Sequence, residues 1–175
     1  MPRTEIDLDP VTHITADAIG KPGQRVFYLQ AWQGAQSVTL LIEKVQLQTL
    51  ALGVIRFLEE LSQRYPGLPP ASPLYQEAAM HIQPPVDPLF RVGEMGLAYD
   101  PQRDLACLVA YELVADDRGE EEVSVVRFWC TRSQLLALSA WGLEVVNRGR
   151  PICPQCGEPM DPEGHFCPRR NGHKH

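Results

Sequence analysis

No apolar run in this 175-residue chain approaches the roughly 18 to 20 residues that a membrane-crossing helix needs. The opening stretch, MPRTEIDLDP, is polar and acidic and lacks a signal-peptide core, so the cytoplasm is the expected compartment. The phosphate-cradling pattern G-x-x-x-x-G-K-[ST], the nucleophile elbow G-x-S-x-G and the zinc-protease pattern H-E-x-x-H are all missing. GKPGQR at residues 20–25 carries two glycines, but it is short and Pro22 stiffens it, so it is no phosphate loop. No repeat is visible at solenoid or propeller periods.

What is present fits one domain of ordinary size with a small appendage: residues 1–150 as an α+β body and 151–175 as a tail. Hydrophobic content of 44 % is enough to build a core. The net charge of −6 is uneven. Residues 1–146 hold 11 Lys/Arg against 19 Asp/Glu, and residues 147–175 hold 5 against 3. An acidic body repels phosphate backbones, which makes nucleic-acid binding through the basic tail the weakest of the functional readings.

Hydrophobic period places the elements. RVFYLQAWQ alternates Phe27, Leu29 and Ala31 against Tyr28, Gln30 and Trp32, and SVTLLIEK alternates Val38, Leu40 and Ile42, so the two predict a hairpin. The period then changes. Leu47, Leu50, Val54, Phe57, Leu58 and Leu61 recur at helical spacing within EKVQLQTLALGVIRFLEELSQRY, and the YPG at 65–67 stops the helix. Leu52 and Ile55 lie off that stripe, which predicts burial on a second side, with a partner-facing helix as the alternative. Residues 66–88 carry seven of the sixteen prolines and read as an extended connection with a short helical turn around LYQEAAMHI. Three strands follow, LFRVGEMGLAYD, DLACLVAYELV and EEVSVVRFWCT. A last helix opens on the capping box Thr131–Gln134 and stops at Gly149 and Pro151. Residues 1–24 show no sustained period. The expected fold is therefore a mostly antiparallel five-stranded sheet in ββα-βββα order, covered by two helices.

Two of the five cysteines, Cys107 and Cys130, sit inside apolar strand-like runs and read as buried, reduced thiols. The other three cluster in CPQCGEPMDPEGHFCPRRNGHKH. Cys153 and Cys156 form a knuckle whose turn aims backbone amides at sulfur, with Gly157 free to adopt the left-handed conformation that turn demands. Cys167 opens a degraded copy of the knuckle, and three thiolates this close point to Zn²⁺. On spacing, the fourth ligand is His165, His173 or, more weakly, His175, and a Cys-x5-His step favours His173. The expected role is structural, since Met160 and Phe166 are almost the only large apolar groups there and metal would supply the missing folding energy. His13 and His81 are isolated and read as surface residues. The most suggestive polar set in the body is Arg25, Glu43, Lys44, Gln46 and Arg91, each at the edge of an apolar element. It is a candidate ligand-binding cleft for an enzyme or small-ligand binder, with ion pairs at strand ends as the competing account.

Taken together, GKPGQRVFYLQ, EKVQ, FRVGEMGLAYD and the ending CPQCGEPMDPEGHFCPRRNG resemble a bacterial family named domain of unknown function 3090, over residues 5–174. The ending is the most specific part of the likeness. The resemblance implies that His165 belongs to the shared motif, and on that ground the metal set becomes Cys153, Cys156, His165 and Cys167, with His173 as alternative. It implies no activity. The leading expectation is thus a non-enzymatic cytosolic binding or adaptor module with a structural zinc-ribbon-like tail, meeting a protein partner through an apolar helix or the tail.

Overall fold

The computed structural model describes residues 3–115 and 122–148. Seven strands and three helices follow in the order β1 (Glu5–Leu8), β2 (His13–Ile19), β3 (Val26–Gln33), β4 (Gln36–Ile42), α1 (Lys44–Arg64), α2 (Glu77–Met80), β5 (Val92–Asp100), β6 (Leu105–Glu112), β7 (Val125–Cys130) and α3 (Arg132–Arg148). The class is α+β, as the element pattern predicts, but the sheet is not single. β2-β3-β4 form an antiparallel sheet, and β1-β7-β6-β5 form a second, in which β1 runs parallel to β7.

The two unexpected strands come from residues 5–19, and each lacks the usual signal for a physical reason. β1 is four residues long, too short to show a period, and it pairs with a strand 120 positions away. β2 has three consecutive buried residues, Ile14, Thr15 and Ala16, because both of its faces are covered. Its core face carries Ile14 and Ala16. Its other face carries Thr15, whose hydroxyl donates to the Met80 carbonyl at 2.5 Å.

That second face is roofed by the proline-rich connection. Gln30 on β3 exchanges two hydrogen bonds with the Gln83 backbone, at 3.0 and 2.9 Å, and donates to the Thr39 hydroxyl on β4 at 2.9 Å. Asp17 accepts from the Ile82 amide at 3.0 Å, and the His13 ring meets the Ala79 carbonyl at 2.8 Å. Prolines leave the connection few amides of its own to donate, so it docks largely through side chains rising from the sheet below. This accounts for Thr15, Gln30 and Thr39 being buried while fully hydrogen-bonded.

The sheets are stitched at both sides. The chain leaving β1 donates from the Val11 amide to Trp129 of the four-stranded sheet and from the Thr12 amide to Trp32 of the three-stranded sheet, at 2.8 and 2.7 Å. On the other side, Leu41 of β4 donates to Phe90, Leu89 donates to Thr39, and Leu113 donates to Arg91. A single core results, drawing Leu8, Ile14, Leu29, Leu40, Leu108 and Phe128 from strands and Leu47, Val54, Leu135 and Trp141 from helices.

α3 begins at the capping box the sequence patterning indicates, and α1 begins at a similar one that the patterning did not single out. Glu43 and Thr131 are their N-caps, and in each case a glutamine three residues on reaches back to the cap amide at 2.8 Å. The helices pack antiparallel at close range. The Ser139 hydroxyl of α3 donates to the Ala51 carbonyl of α1 at 3.1 Å, and a Cβ on Gly142 would lie 2.9 Å from the Leu47 Cδ1. Burial of α1 is narrower than predicted: Leu52 is 56 % exposed and Ile55 half-buried. The second helix covers only the side of α1 bearing Leu47 and Ala51, leaving Leu52 facing solvent.

Candidate binding site

The predicted polar set divides in two. Glu43, Gln46 and Arg91 come together where β4 hands over to α1 beside the start of β5. Arg91 donates to the Glu43 carboxylate across 48 residues, and both side chains are about half exposed or more. The Gln46 side chain accepts from the Glu43 amide through its oxygen and donates through its nitrogen to the Val92 and Gly93 carbonyls, at 3.0 and 3.2 Å. Gln46 therefore caps its own helix and ties it to β5. Lys44, the first helical residue, is half-buried next to this group.

Arg25 is elsewhere. Its guanidinium lies 4.7 Å from the Phe27 ring centroid and donates to the Val145 and Val146 carbonyls at 2.9 and 3.5 Å. These are among the last carbonyls of α3, which have no partner within the helix, so Arg25 acts as a C-terminal cap. Burial lowers its pKa, against a smaller opposing pull from Asp17.

Other groups with chemical potential are also held in structural contacts. Burial pushes the Cys107 thiol up to about 11 and raises that of Cys130 further, so both stay protonated and unreactive at neutral pH. Arg132, with a side chain only 9 % exposed, grips Asp104 through two hydrogen bonds of 2.8 and 3.1 Å and donates to the Pro69 carbonyl. The Tyr99 phenol donates to the same carboxylate at 2.7 Å. The guanidinium holds the Asp104 carboxyl below its ordinary value, while burial and then Asp104 push the Tyr99 phenol up to about 12.

A further polar group sits around Trp141 at the end of α3. The indole N–H donates to the Ala16 carbonyl at 2.6 Å, and the rings of Tyr75 and His81 meet it edge-on. Arg148 lies over its face and pairs through two bonds with Glu77 and one with Glu144. His81 also contacts Asp17 at 3.1 Å. The Glu77–His81 and Glu144–Arg148 spacings of four are legible in the sequence, but Asp17 and Trp141 join them only through the fold. Among the described residues no cluster of His, Cys, Asp and Glu could hold a metal ion. The predicted metal ligands Cys153, Cys156, His165 and Cys167, with His173, lie outside the described residues.

A groove of about 490 Å³ opens between α1 and β5, one of several clefts among the described residues. Val45, Thr49, Leu50 and Gly53 form its helical wall, and Gly93, Met95, Gly96 and Leu97 form its strand wall. Its strand wall begins at a register shift between Val92 and Glu94, a bulge at Gly93. A Cβ at Gly93 would lie 3.1 Å from the Leu113 Cα, so a larger residue there would push that backbone aside by a few tenths of an ångström. Gly53 and Gly96, by contrast, face open space. The lining is apolar except for Thr49, Gln46 and the exposed Glu94. Sequence reasoning missed this groove. Its only advance signal was the pair of glycines at 93 and 96 in a strand-like run, which often marks a bulge or a site of close approach.

A family model described as a protein of unknown function, DUF3090, matches residues 6–167. The chain belongs to this family. The match covers all but the first three residues of the described body and continues to Cys167, so one family match takes in both the body and the cysteine-bearing segment. No curated protein and no solved structure matches the chain. No helix among the described residues is long and apolar enough to cross a membrane.

Proposed function

We propose that this member of the DUF3090 family is a non-enzymatic zinc-binding module of the cytosol, an adaptor whose metal-folded tail meets a protein partner. The observation that carries the reading is how the body uses its polar side chains. Arg25, Glu43, Gln46 and Arg91 cap helices or join elements, and both body thiols are buried and protonated. The donor set in the tail, three cysteines with a histidine, suits Zn²⁺, whose tetrahedral structural sites favour thiolate and imidazole ligands. Cys153, Cys156, Cys167 and His165 would hold it, and the bound metal would supply the folding energy of a core-poor segment.

The test is metal content per chain. Wild type should carry one zinc, and Cys153→Ser should lose it while the helical circular dichroism of the body persists. His165→Ala should lose zinc and His173→Ala should keep it. Retention of a full zinc by Cys153→Ser, or turnover of any metabolite in an activity screen, refutes the proposal.

A further inference from the structure

We propose that this protein is a two-fold homodimer in which β5 pairs antiparallel with β5 of a second copy, centred on Gly96, so that the two four-stranded sheets run on into one.

The sheet edges point to this strand. Each of the other three end strands among the described residues is covered or blunted. β1 is four residues long and carries Glu5 and Asp7. β2 packs against α3, and its Ala16 carbonyl takes the Trp141 indole N–H. β4 meets the segment entering β5, through Leu41 donating to Phe90 and Leu89 donating to Thr39. β5 is nine residues long, and past the bulge at Gly93 its outer edge has no strand partner among the described residues. From Met95 to Tyr99 it carries neither charge nor proline, the devices that keep strand edges from pairing. An open edge of this kind accepts a further strand through its backbone groups.

Charge and face fit that strand to a second copy. Directly opposed residues of an antiparallel pair share one face of the sheet. A symmetric β5 pair therefore keeps both cores on the same side only when one residue lies opposite its own copy. Gly96 is the middle residue of β5, so centring on it uses the whole strand. On the core side, the side that Leu108 and Ala110 of β6 share, Met95 then meets Leu97 of the second copy. On the outer side the exposed Glu94 meets the exposed Ala98, and no like charges are opposed. Centring on Leu97 would instead set Glu94 against Asp100 twice over, which is unfavourable.

The groove between α1 and β5 completes the match. It runs along the same edge, is lined mostly by apolar groups, and leaves Val45 on its rim 64 % exposed. A Cβ on Gly53 or Gly96 would meet nothing within 4 Å, so both walls leave room for incoming side chains. Met95 and Leu97 of each copy enter the groove of the other, and their burial drives association. One patch meeting itself is what a closed two-fold interface requires.

The experiment is sedimentation velocity of the full-length chain over a range of concentrations, with helical circular dichroism recorded on every variant. Wild type should sediment at twice the 19.6 kDa mass of the chain. Gly96→Glu sets like charges against each other on the axis, and Ala98→Glu sets a carboxylate against Glu94 of the second copy. Each should raise the dissociation constant about tenfold. Ala98→Lys, at the same exposed site, sets a cation against that glutamate and should lower the constant. Opposed residues lie about 4.5 to 5.5 Å apart at Cα, within disulfide range, so Gly96→Cys should form a covalent dimer on mild oxidation, above the background that wild type gives. A monomeric wild type overturns the proposal. So does a dimer indifferent to charge at positions 96 and 98, an equal response to Glu and Lys at position 98, or no Gly96→Cys cross-link above background. The interface lies in the body, so Cys153→Ser should stay dimeric whatever its zinc content. Loss of the dimer together with the metal overturns this inference and leaves the zinc reading standing.

Discussion

Asp104 concentrates several of the forces that hold this body together, and replacing it separates them. It closes the turn between β5 and β6 with φ of +49°, in the left-handed region that Asn tolerates and Ala does not. Its carboxylate takes two hydrogen bonds from Arg132 and one from Tyr99. Asp104→Asn keeps the backbone preference and the size but removes the charge, leaving the Arg132 guanidinium, 9 % exposed, without its counter-ion. A hydrogen bond to a charged group contributes about 1.5 to 3 kcal/mol, and a fully exposed ion pair no more than about 1. Asp104 is 42 % exposed, so water screens part of the attraction, and the expected cost of Asp104→Asn is about 2 kcal/mol. Asp104→Ala should cost about 1 kcal/mol more, because alanine also pays for the left-handed backbone. With a urea dependence of about 2 kcal/mol per molar, Asp104→Asn lowers the unfolding midpoint by about 1 M.

The pH dependence gives a second check on the same residue. Arg132 lowers the folded-state pKa of Asp104, so the stabilisation is present above the unfolded value of about 3.9 and is lost as pH falls through the folded value. The gap between wild type and Asp104→Asn should be full at pH 7 and should close below about pH 4. The Tyr99 phenol, about 12 in the wild type, should titrate lower in the variant, followed by ultraviolet absorbance, while its burial keeps it above the ordinary value. A midpoint shift under about 0.3 M, or a gap that stays constant down to pH 3, refutes the assignment.

Two other contacts yield simpler expectations. Arg25→Ala should lower stability by about 1 kcal/mol in urea titration through loss of the α3 cap, with the change confined by hydrogen exchange to the last turn of that helix. Trp141→Phe keeps most of the buried ring but leaves the Ala16 carbonyl, buried at the edge of β2, without its 2.6 Å donor, and should cost about 1 to 2 kcal/mol in thermal or urea unfolding.

Local pattern was enough for most of the secondary structure. The alternation of Phe27, Leu29 and Ala31, the helical stripe from Leu47 to Leu61, the Thr131–Gln134 capping box and the strands at 92–100, 105–112 and 125–130 all describe what short stretches of chain prefer regardless of surroundings. The candidate site was legible only in part, because periodicity reports which face is apolar and not which residues meet. Arg91 reaches Glu43 from 48 positions away, whereas Arg25, near Glu43 in sequence pattern, turns to the carbonyls of α3.

By itself, then, the sequence determined the elements from β3 onward, the family and the residue types of the tail's donor set, since each depends on neighbours along the chain. The division into two sheets, the burial of Thr15 and Gln30 beneath a proline-rich roof, and the groove between α1 and β5 were decided by tertiary structure. The physical reason is common to all three. Each depends on segments tens of residues apart, whose pairing is chosen by how the whole core closes and leaves no mark in the local pattern.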